Sequence, residues 1–352
     1  MLKPSTIMAP LKKSKSEIFK QGALNLLSRG AASAVYINPD NEKQIIKEAV
    51  TNKHNSDGKY LARQQNGYYI IDQIRETGQD YGVNLPEFIS NVKSIDIDSN
   101  ETQFQSVTET TLPGIMLDNT MYYNLKDSTK NKLALQLAKF LTVIHGLNKP
   151  LPASIRNRKH DILIGFPKMT QENSGAFIQQ FHNKILKQIL TDAVAVLWQD
   201  IGPDEIIVTT HGDLRWPNII YNPENEKIGV IDFENSGPSH IYRDFVSSPT
   251  SFNWDFVQRI IKQYNKIRKQ NNNPIRIDAD KTKKLLICAV TNKSIKHIIN
   301  SEANRISAKT DETKLPEYRE YLVTKLETNL IRALKDHGLM DAPVILSNQN
   351  QR

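Results

Sequence analysis

The sequence predicts an α+β protein with two lobes, a small antiparallel-sheet lobe followed by a larger, mainly helical lobe. Short β-type runs separated by turn residues dominate the first hundred residues, and apolar residues at helical spacing dominate after the turn Leu112-Pro113-Gly114. The 352 residues, 39% hydrophobic and 24% charged, are enough for two hydrophobic cores. This composition excludes a disordered, collagen-like or disulfide-stapled protein.

The first lobe, residues 22–111, is predicted to contain five strands and one helix. Runs rich in Val, Ile, Leu and Tyr predict strands at residues 22–27, 34–38, 44–49, 92–97 and 103–108. Helical spacing of apolar residues predicts a helix over residues 59–77, although Gly67 weakens it. Residues 1–21 contain Lys and Ser without periodicity, which indicates a flexible basic arm.

The second lobe, residues 112–346, is predicted to be helical around a short β-rich island at residues 206–231, and residues 347–352 form a polar tail. Helices are predicted at residues 133–145, 177–198, 253–270, 281–301 and 314–339. The first of these ends at His145-Gly146, where the glycine is a typical helix stop.

The net charge of +8 is unevenly distributed along the chain. Residues 1–21 contain five lysines against one glutamate, and residues 251–352 contain 19 basic against 11 acidic residues, so residues 22–250 carry a net charge of −4. The basic helices at the end alternate charge with apolar residues, which is typical of a solvated helix face. No Arg-rich or aromatic-interleaved nucleic-acid module is present.

The single cysteine, Cys288, lies in an apolar run and is interpreted as a buried, inert thiol. His145 and His182 have no partners at zinc-ligand spacing. No apolar stretch approaches the roughly 18 residues of a membrane span, and the N-terminus lacks an apolar signal region. The expected location is therefore the cytoplasm.

The β-rich island contains the residues that point to chemistry. It holds the run His211-Gly212-Asp213-Leu214-Arg215-Trp216-Pro217-Asn218 and then Ile231-Asp232-Phe233-Glu234. Phosphoryl transfer needs a carboxylate beside the attacking hydroxyl and oxygen ligands for Mg²⁺. Asp213 can supply the first, and Asn218 and Asp232 can supply the second.

A nucleotide site is predicted in the first lobe. The turn that contains Ser28, Gly30 and Ser33 joins two predicted strands and is small enough for its backbone N–H groups to approach phosphates. Lys47 lies on the third predicted strand, where an ammonium could pair with the α and β phosphates. Each signal is weak alone, and their order along the chain makes the set specific.

With these motifs the sequence resembles the kinase-like phosphotransferases, the family of aminoglycoside phosphotransferases and choline or ethanolamine kinases. The resemblance spans about residues 22–265 and rests on His211, Asp213, Asn218, the IDFE run at residues 231–234, and Gly237 followed by Tyr242-Arg243-Asp244-Phe245. It implies a bilobal protein-kinase-like fold and Mg²⁺-dependent transfer of the γ-phosphoryl group of ATP, or of GTP, to a hydroxyl group.

The resemblance also implies roles for single residues. Asp213 would be the catalytic base, Asn218 and Asp232 the Mg²⁺ ligands, and Lys47 the phosphate-binding lysine. The backbone of residues 108–111, including Thr108, Glu109 and Thr111, would recognise the adenine base of the nucleotide. His211 and Asp244 would support the catalytic loop. Contacts with the substrate or a second metal are expected from Glu234, Arg215, Trp216 and Trp254, with packing or solvation as the alternative for Arg215 and Trp216.

The sequence departs from the family pattern at two places. The phosphate loop has one glycine, Gly30, and the helix glutamate that pairs with the strand lysine has no clear counterpart, since Gln64, Asp72 and Glu76 compete for that position.

The acceptor is expected to be a small molecule, an amino-alcohol, sugar or aminoglycoside. A protein kinase acting on a cellular or host protein, and a nucleotide-binding pseudokinase scaffold, are the alternatives. The sequence does not determine the oligomeric state.

Overall fold

The computed structural model of the protein describes residues 26–29, 33–38, 41–49, 59–97, 102–147, 175, 178–199, 206–246, 252–306 and 315–340. The predicted basic arm at residues 1–21 and the predicted tail at residues 347–352 lie outside these ranges, as does Gly30 of the predicted phosphate loop.

The first lobe contains a five-stranded antiparallel sheet in the order β1-β2-β3-β5-β4. Its strands are β1 (Leu26–Arg29), β2 (Ser33–Ile37), β3 (Gln44–Ala49), β4 (Phe88–Ile97) and β5 (Thr102–Thr110). Helix α1 (Lys59–Glu76) lies between β3 and β4 in the chain. These five strands and one helix confirm the α+β prediction for this lobe.

The second lobe begins with β6 (Ile115–Met116) and is mostly helical. Its helices are α2 (Asn119–Asn124), α3 (Asp127–Ile144), α4 (Lys184–Gln199), α5 (Arg243–Val246), α6 (Trp254–Gln270), α7 (Ala279–Ile306) and α8 (Leu315–Asp336). Helix α3 packs on α6, and α7 packs on α4 and α8. The apolar residues Leu133, Leu137, Phe140, Leu141 and Ile144, predicted to share one face of α3, are all fully buried.

The β-rich island forms two small antiparallel sheets that frame the predicted catalytic residues. Strand β7 (Ile207–Thr210) pairs with β10 (Gly237–His240), and β8 (Ile219–Asn222) pairs with β6 and β9 (Lys227–Val230). Short 3₁₀ turns, Trp216–Asn218 and Phe233–Asn235, connect these strands.

Several elements differ from the sequence prediction, and for three of them the local reason is identifiable. Strand β10 contains Gly237 and Pro238, which hide its strand character in the sequence. Helix α2 is too short for periodicity to detect, although Asp118 caps it by accepting a hydrogen bond from the backbone of Met121. The helical stretch predicted at residues 177–198 is interrupted: residues 178 and 179 are helical, and α4 then begins at Lys184, where Asn183 accepts a hydrogen bond from the Leu186 N–H as a cap does.

The two lobes are joined behind the site by backbone hydrogen bonds. The segment after α1 pairs with β9, because the Asn84 N–H donates to the Ile228 carbonyl at 2.8 Å and the Val230 N–H donates to the Asn84 carbonyl at 3.0 Å. Helix α1 is thereby anchored next to the island that carries the predicted catalytic residues. None of the helices in the described ranges combines the length and apolarity that a bilayer crossing requires.

Candidate active site

The loop after β7 is held by a buried carboxylate. Asp244, fully buried at the start of α5, accepts the backbone N–H of His211 at Oδ2 (3.0 Å) and that of Gly212 at Oδ1 (2.8 Å). Gly212 has φ of +82°, and a Cβ there would collide with the Asn235 carbonyl, so the loop requires glycine at this position. Asp244 therefore fixes the backbone that leads into Asp213.

The network continues from Asp244 into two helices of the second lobe. His145, the first residue after α3, lies with Nε2 3.1 Å from Asp244 Oδ2 and with Nδ1 3.1 Å from the Tyr264 hydroxyl. The Arg268 guanidinium donates to the same hydroxyl at 2.9 and 2.8 Å. All four side chains are at most 5% exposed, so the catalytic loop rests on groups that lie inside the core.

The charges in this network follow from its contacts. Burial raises the pKa of Asp244, but the hydrogen bonds from His145 and the Gly212 N–H outweigh it and hold the pKa below the usual range. Burial lowers the pKa of His145 against the opposing effect of Asp244. A neutral His145 that donates Nε2–H to an ionised Asp244 and accepts at Nδ1 from Tyr264 satisfies both contacts.

His211 lies beneath the loop and is fully buried. Its Nε2 is 3.0 Å from the Ile231 carbonyl, and its Nδ1 accepts the Asp213 N–H at 3.3 Å. The imidazole also packs beside Phe233, with ring centroids 4.6 Å apart. His211 thus links the Asp213 loop to the strand end before Asp232.

The register of the β8–β9 hairpin brings Asn218 and Asp232 together. Ile219 pairs with Val230, and directly beyond this pair the Ile231 N–H donates to the Asn218 carbonyl at 3.1 Å. Asp232 follows with a left-handed backbone, φ +68° and ψ +59°, which is rare for a residue other than glycine and turns the chain into the 3₁₀ turn. Two residues fourteen positions apart thereby meet at one end of the hairpin.

Asp213 lies next to this pair. The Asn218 side-chain amide donates to the Asp213 carbonyl at 2.7 Å and reaches its carboxylate at 3.3 Å. Burial raises the pKa of Asp213, and the charge of Asp232 adds to this, whereas Arg215, His211 and the Asn218 hydrogen bond oppose it. The net effect is a raised pKa, which suits a carboxylate that takes up a proton.

Of the four residues expected near the substrate, Arg215 is the one that contacts Asp213. Its Nε lies 3.0 Å from Asp213 Oδ2, and its side chain remains one-third exposed. Trp216 is 2% exposed, stacks on Phe256 with centroids 4.9 Å apart, and donates its indole N–H to Asn119. Trp254 is also buried. The structure therefore favours packing for both tryptophans, because indoles inside the core cannot cover a substrate.

Glu234 contacts the helix of the first lobe. Its Oε2 accepts a hydrogen bond from Gln64 Nε2 at 3.1 Å. The helix approaches closely here because Gly67 lies against Phe233, where an added Cβ would be 2.8 Å from the carbonyl oxygen. The glycine that weakens the helix prediction is thus the residue that lets α1 pack on the turn after Asp232.

Lys47 lies on β3 and is buried, as is the residue that it contacts. Its Nζ is 2.8 Å from Glu109 Oε1 on β5, and Glu109 Oε2 accepts the Tyr68 hydroxyl at 2.6 Å. Of the helix residues that compete for this partner in the sequence, Gln64 bonds Glu234, Asp72 lies 3.6 Å from Arg75, and Glu76 is exposed.

The other described residues predicted to contact the nucleotide lie on strands of the same sheet or directly after them. Ser28 is on β1 and Ser33 begins β2, on either side of the predicted turn. Thr108 is on β5, and the Thr111 N–H donates to the Lys43 carbonyl at 2.8 Å, so this N–H already has a partner. A base contact through the backbone of residues 108–111 stays a prediction.

The oxygen atoms of Asn218 and Asp232 suit a hard divalent cation. Asn218 uses its amide nitrogen on Asp213, which leaves its amide oxygen as the ligand atom. Within the described ranges, no three His, Cys, Asp or Glu side chains lie close enough to hold a metal ion. Two protein ligands are what Mg²⁺ needs when nucleotide phosphates and water complete its coordination shell.

Sequence reasoning did not identify several residues that build this site. The Glu109 side chain, Tyr68, Tyr264 and Arg268 all make buried contacts within it. A signal for Glu109 exists, because a lone acidic residue on one strand and a lone lysine on its neighbour predict a cross-strand pair. Tyr264 and Arg268 lie on one helix face at spacing i, i+4, which is typical of ordinary amphipathic packing and gives no functional signal.

Comparisons with known proteins agree with this architecture. The structure resembles the gentamicin complex of APH(2″)-IIa with TM-score 0.52 and 16% identity, over 90% of this chain and 93% of that chain. It resembles the GDP and kanamycin complex of a second APH(2″) enzyme with TM-score 0.56 and 16% identity, over 89% and 97%. A streptomycin–ATP–APH(2″)-IIa ternary complex gives TM-score 0.51 and 17% identity, over 81% and 87%.

These likenesses confirm the bilobal protein-kinase-like fold. A search of curated protein sequences gave no significant match. The sequence profile of APH, the phosphotransferase enzyme family, matches residues 71–270, which is more than half of the chain and includes the island with Asp213, Asn218 and Asp232. The chain therefore belongs to the phosphotransferase enzyme family, and its predicted class, a phosphotransferase, is confirmed.

Proposed function

We propose that the protein transfers the γ-phosphoryl group of ATP or GTP, with Mg²⁺, to a hydroxyl group of a small cationic acceptor such as an amino-alcohol, an amino sugar or an aminoglycoside. The observation that carries this proposal is the hydrogen bond from the Ile231 N–H to the Asn218 carbonyl, because it places Asn218 beside Asp232 while Asn218 also bonds Asp213. One hairpin end thus combines two metal-ligand oxygens with one base.

The nucleotide part of the proposal rests on Lys47 and on this oxygen pair. Mg²⁺ bound at Asn218 and Asp232 would bridge and neutralise the nucleotide phosphates. Lys47 supplies a fixed positive charge to the same phosphates from the sheet above. The structural neighbours were solved with GDP in one case and with ATP in another, so both nucleotides are candidates.

The residues of this chain account for the transfer chemistry mainly by position. Asp213 accepts a hydrogen bond from the acceptor hydroxyl and orients its oxygen toward the γ-phosphorus. As the new O–P bond forms, the bond between the γ-phosphorus and the β,γ-bridging oxygen breaks, the nucleoside diphosphate leaves, and Asp213 takes the hydroxyl proton. The raised pKa of Asp213 improves its basicity for this step. Arg215, 3.0 Å from the carboxylate, keeps it ionised until then.

A cationic acceptor agrees with the charge of the cleft. Asp213, Asp232 and Glu234 provide three carboxylates, and the sequence between residues 22 and 250 has a net negative charge. Among the structural neighbours, gentamicin, kanamycin and streptomycin are the bound acceptor-type ligands. The ammonium groups of such a molecule would replace solvent around the carboxylates.

The test is phosphate transfer from γ-labelled ATP or GTP with Mg²⁺. The purified protein is incubated alone, with a panel of amino-alcohols, sugars and aminoglycosides, and with cell lysate, and the Asp213→Asn variant serves as the control. Label in a cationic metabolite supports the proposal. Label in protein bands would indicate a protein kinase, and nucleotide binding without transfer would indicate a scaffold.

A second variant tests the metal site. Asp232→Ala is expected to abolish the Mg²⁺-dependent part of nucleotide binding, because a monodentate amide oxygen alone holds Mg²⁺ weakly. Calorimetric titration with nucleotide, with and without Mg²⁺, measures this part. Unchanged Mg²⁺-dependent binding by the variant would contradict the assignment of Asp232.

A further inference from the structure

The two carboxylates on the first-lobe helix α1 are exposed, whereas Lys47 is buried. Gln64, the residue of α1 that points toward the site, bonds Glu234 at 3.1 Å, while Asp72 and Glu76 are exposed. The structure supplies a carboxylate from a different element. Glu109 on β5 lies 2.8 Å from the Lys47 ammonium, and the side chains are 3% and 8% exposed.

We propose that Glu109 is the residue that positions Lys47 toward the nucleotide phosphates, and that Tyr68 on α1 orients Glu109 for this task. This inference rests on the proposed function, because it assigns Lys47 to the phosphates. The carboxylate uses one oxygen for the ammonium and the other for the Tyr68 hydroxyl, at 2.6 Å. Both oxygens therefore have charge-assisted or short hydrogen bonds that fix the carboxylate plane.

The sheet register explains why the pair forms. Strand β3 pairs with β5 so that Ile45 is opposite Glu109 and Lys47 is opposite Val107. Side chains two residues apart on a strand share a face, so Lys47 and Glu109 are diagonal neighbours on one side of the sheet. Their separation is set by backbone hydrogen bonds between strands and does not depend on where α1 lies.

Burial makes the pairing energetically necessary. An ammonium and a carboxylate that are both buried stabilise each other, and removal of one leaves an uncompensated buried charge. Tyr68 adds a hydrogen bond from the helix and packs on Phe88 of β4, with ring centroids 4.6 Å apart. The lysine is thus linked to three elements of the lobe through a single carboxylate.

Glu109 also lies in the segment predicted to read the base. Because Glu109 also bonds Lys47, strand β5 connects the predicted contact with the nucleotide base to the predicted contact with the phosphates. We therefore expect the substitution of Glu109 to change the kinetics toward the nucleotide and to leave the affinity for the acceptor unchanged.

The test compares Glu109→Gln with Asp72→Asn, which removes an exposed carboxylate from α1. For Glu109→Gln, kcat is expected to fall about tenfold or more and the KM for the nucleotide is expected to rise, because the variant loses one charge-assisted hydrogen bond. The KM for the acceptor is expected to stay unchanged. Asp72→Asn is expected to keep all three constants. Equal rises in both KM values would indicate general damage and contradict the proposal.

A double variant separates positioning from independent effects. If Glu109 acts through Lys47, Lys47→Met with Glu109→Gln loses no more activity than Lys47→Met alone. A further loss in the double variant would overturn the proposal.

Should Glu109→Gln fail to fold, Tyr68→Phe is the variant that tests the proposal, because it deletes only the hydroxyl that bonds Glu109. A two- to fivefold loss, about half of a kcal/mol or more, is expected in the same constants. Wild-type constants for Tyr68→Phe would then contradict the proposal.

Reactivity of Lys47 provides a readout that does not need an acceptor. An acyl-phosphate derivative of ATP acylates a lysine held beside the phosphates, and mass spectrometry locates the label. Wild type is expected to be labelled at Lys47, and Glu109→Gln about tenfold more slowly. If no acceptor is phosphorylated but this difference persists, the proposed transfer reaction fails and the Glu109 assignment stands. Equal labelling of folded wild type and variant would overturn the assignment.

Discussion

The two halves of the candidate site are fixed in different ways. The predicted catalytic loop is held by Asp244, which accepts hydrogen bonds from two backbone N–H groups and from the His145 side chain inside the core of the helical lobe. Lys47 in the sheet lobe has Glu109 as its ion-pair partner, and Glu109 is bonded in turn by Tyr68. In the first half a buried carboxylate accepts hydrogen bonds from the loop backbone. In the second half a buried side-chain ion pair holds the lysine.

This difference indicates which half tolerates movement. A loop whose N–H groups are bonded to a buried carboxylate cannot shift without breaking several contacts, so Asp213 is held in a fixed position, as its proposed role in proton transfer requires. A long lysine side chain can follow a phosphate group by rotating its methylene groups, and its carboxylate partner limits that freedom. Substitutions can sharpen or break this comparison, and the following predictions run from the largest expected effect to the smallest.

The largest effect is expected at Asp213, the proposed catalytic base. Asp213→Asn keeps the shape of the side chain but removes the proton acceptor, so kcat is expected to fall about 10²- to 10⁴-fold with nucleotide affinity nearly unchanged. Steady-state kinetics and nucleotide titration measure both quantities. Wild-type turnover by this variant would mean that Asp213 is not the base.

The second prediction concerns the support of the loop. Asp244→Asn replaces an acceptor of three N–H groups with a side chain that carries its own donors, and we expect about 3 kcal/mol of lost stability, together with lower kcat. Denaturant unfolding measures the first effect. Asp80→Asn, which removes an exposed ion pair with Lys139, is the matched control and should cost less than 1 kcal/mol. Equal costs for the two variants would contradict the contrast between the halves.

The third prediction concerns the contact between the lobes. Gly67→Ala places a methyl group 2.8 Å from the Phe233 carbonyl oxygen, and the expected overpacking cost of about 1 to 3 kcal/mol exceeds the gain of about 1 kcal/mol in helix propensity. The displaced turn adjoins Asp232, so Mg²⁺-dependent nucleotide binding should weaken too. Asp72→Ala, at an exposed position of the same helix, should be neutral or stabilising. A stabilised Gly67→Ala variant would show that the helix packs more loosely than described.

At neutral pH the smallest effect is expected at His240, because its contribution to the pH dependence of stability develops only as the pH falls. Burial, with a contribution from Lys281, lowers the pKa of His240 on β10 to about 4. The unfolded state takes up this proton near the ordinary pKa of about 6.5, so stability should fall as the pH drops from about 6.5 to 4. His240→Gln should reduce this slope in thermal unfolding measured across that range. An unchanged slope would contradict the lowered pKa.

Much of the fold was predictable because local patterns and tertiary packing agree. Strand β3 has the predicted bounds, helix α3 buries its predicted face, and the Asp213, Asn218 and Asp232 motif carries its spacing in the sequence. Gly67 illustrates the limit of local prediction. Its low helix propensity is a local property, whereas its contact with Phe233 involves a residue 166 positions later in the chain. Helix α2 and strand β10 were missed because they are short and have weak local signals.

By itself, the sequence predicted the fold class through its periodicity and turn chemistry. The order and spacing of its motifs carried the resemblance to the phosphotransferase family and, with it, the predicted catalytic residues. The tertiary structure decided which partners those residues have. It places Trp216 and Trp254 in the core, gives Asp244 the loop N–H groups, and pairs Lys47 with Glu109 and not with a helix residue. The physical reason is that burial and hydrogen bonding between distant segments depend on strand register and helix packing, which no local pattern records.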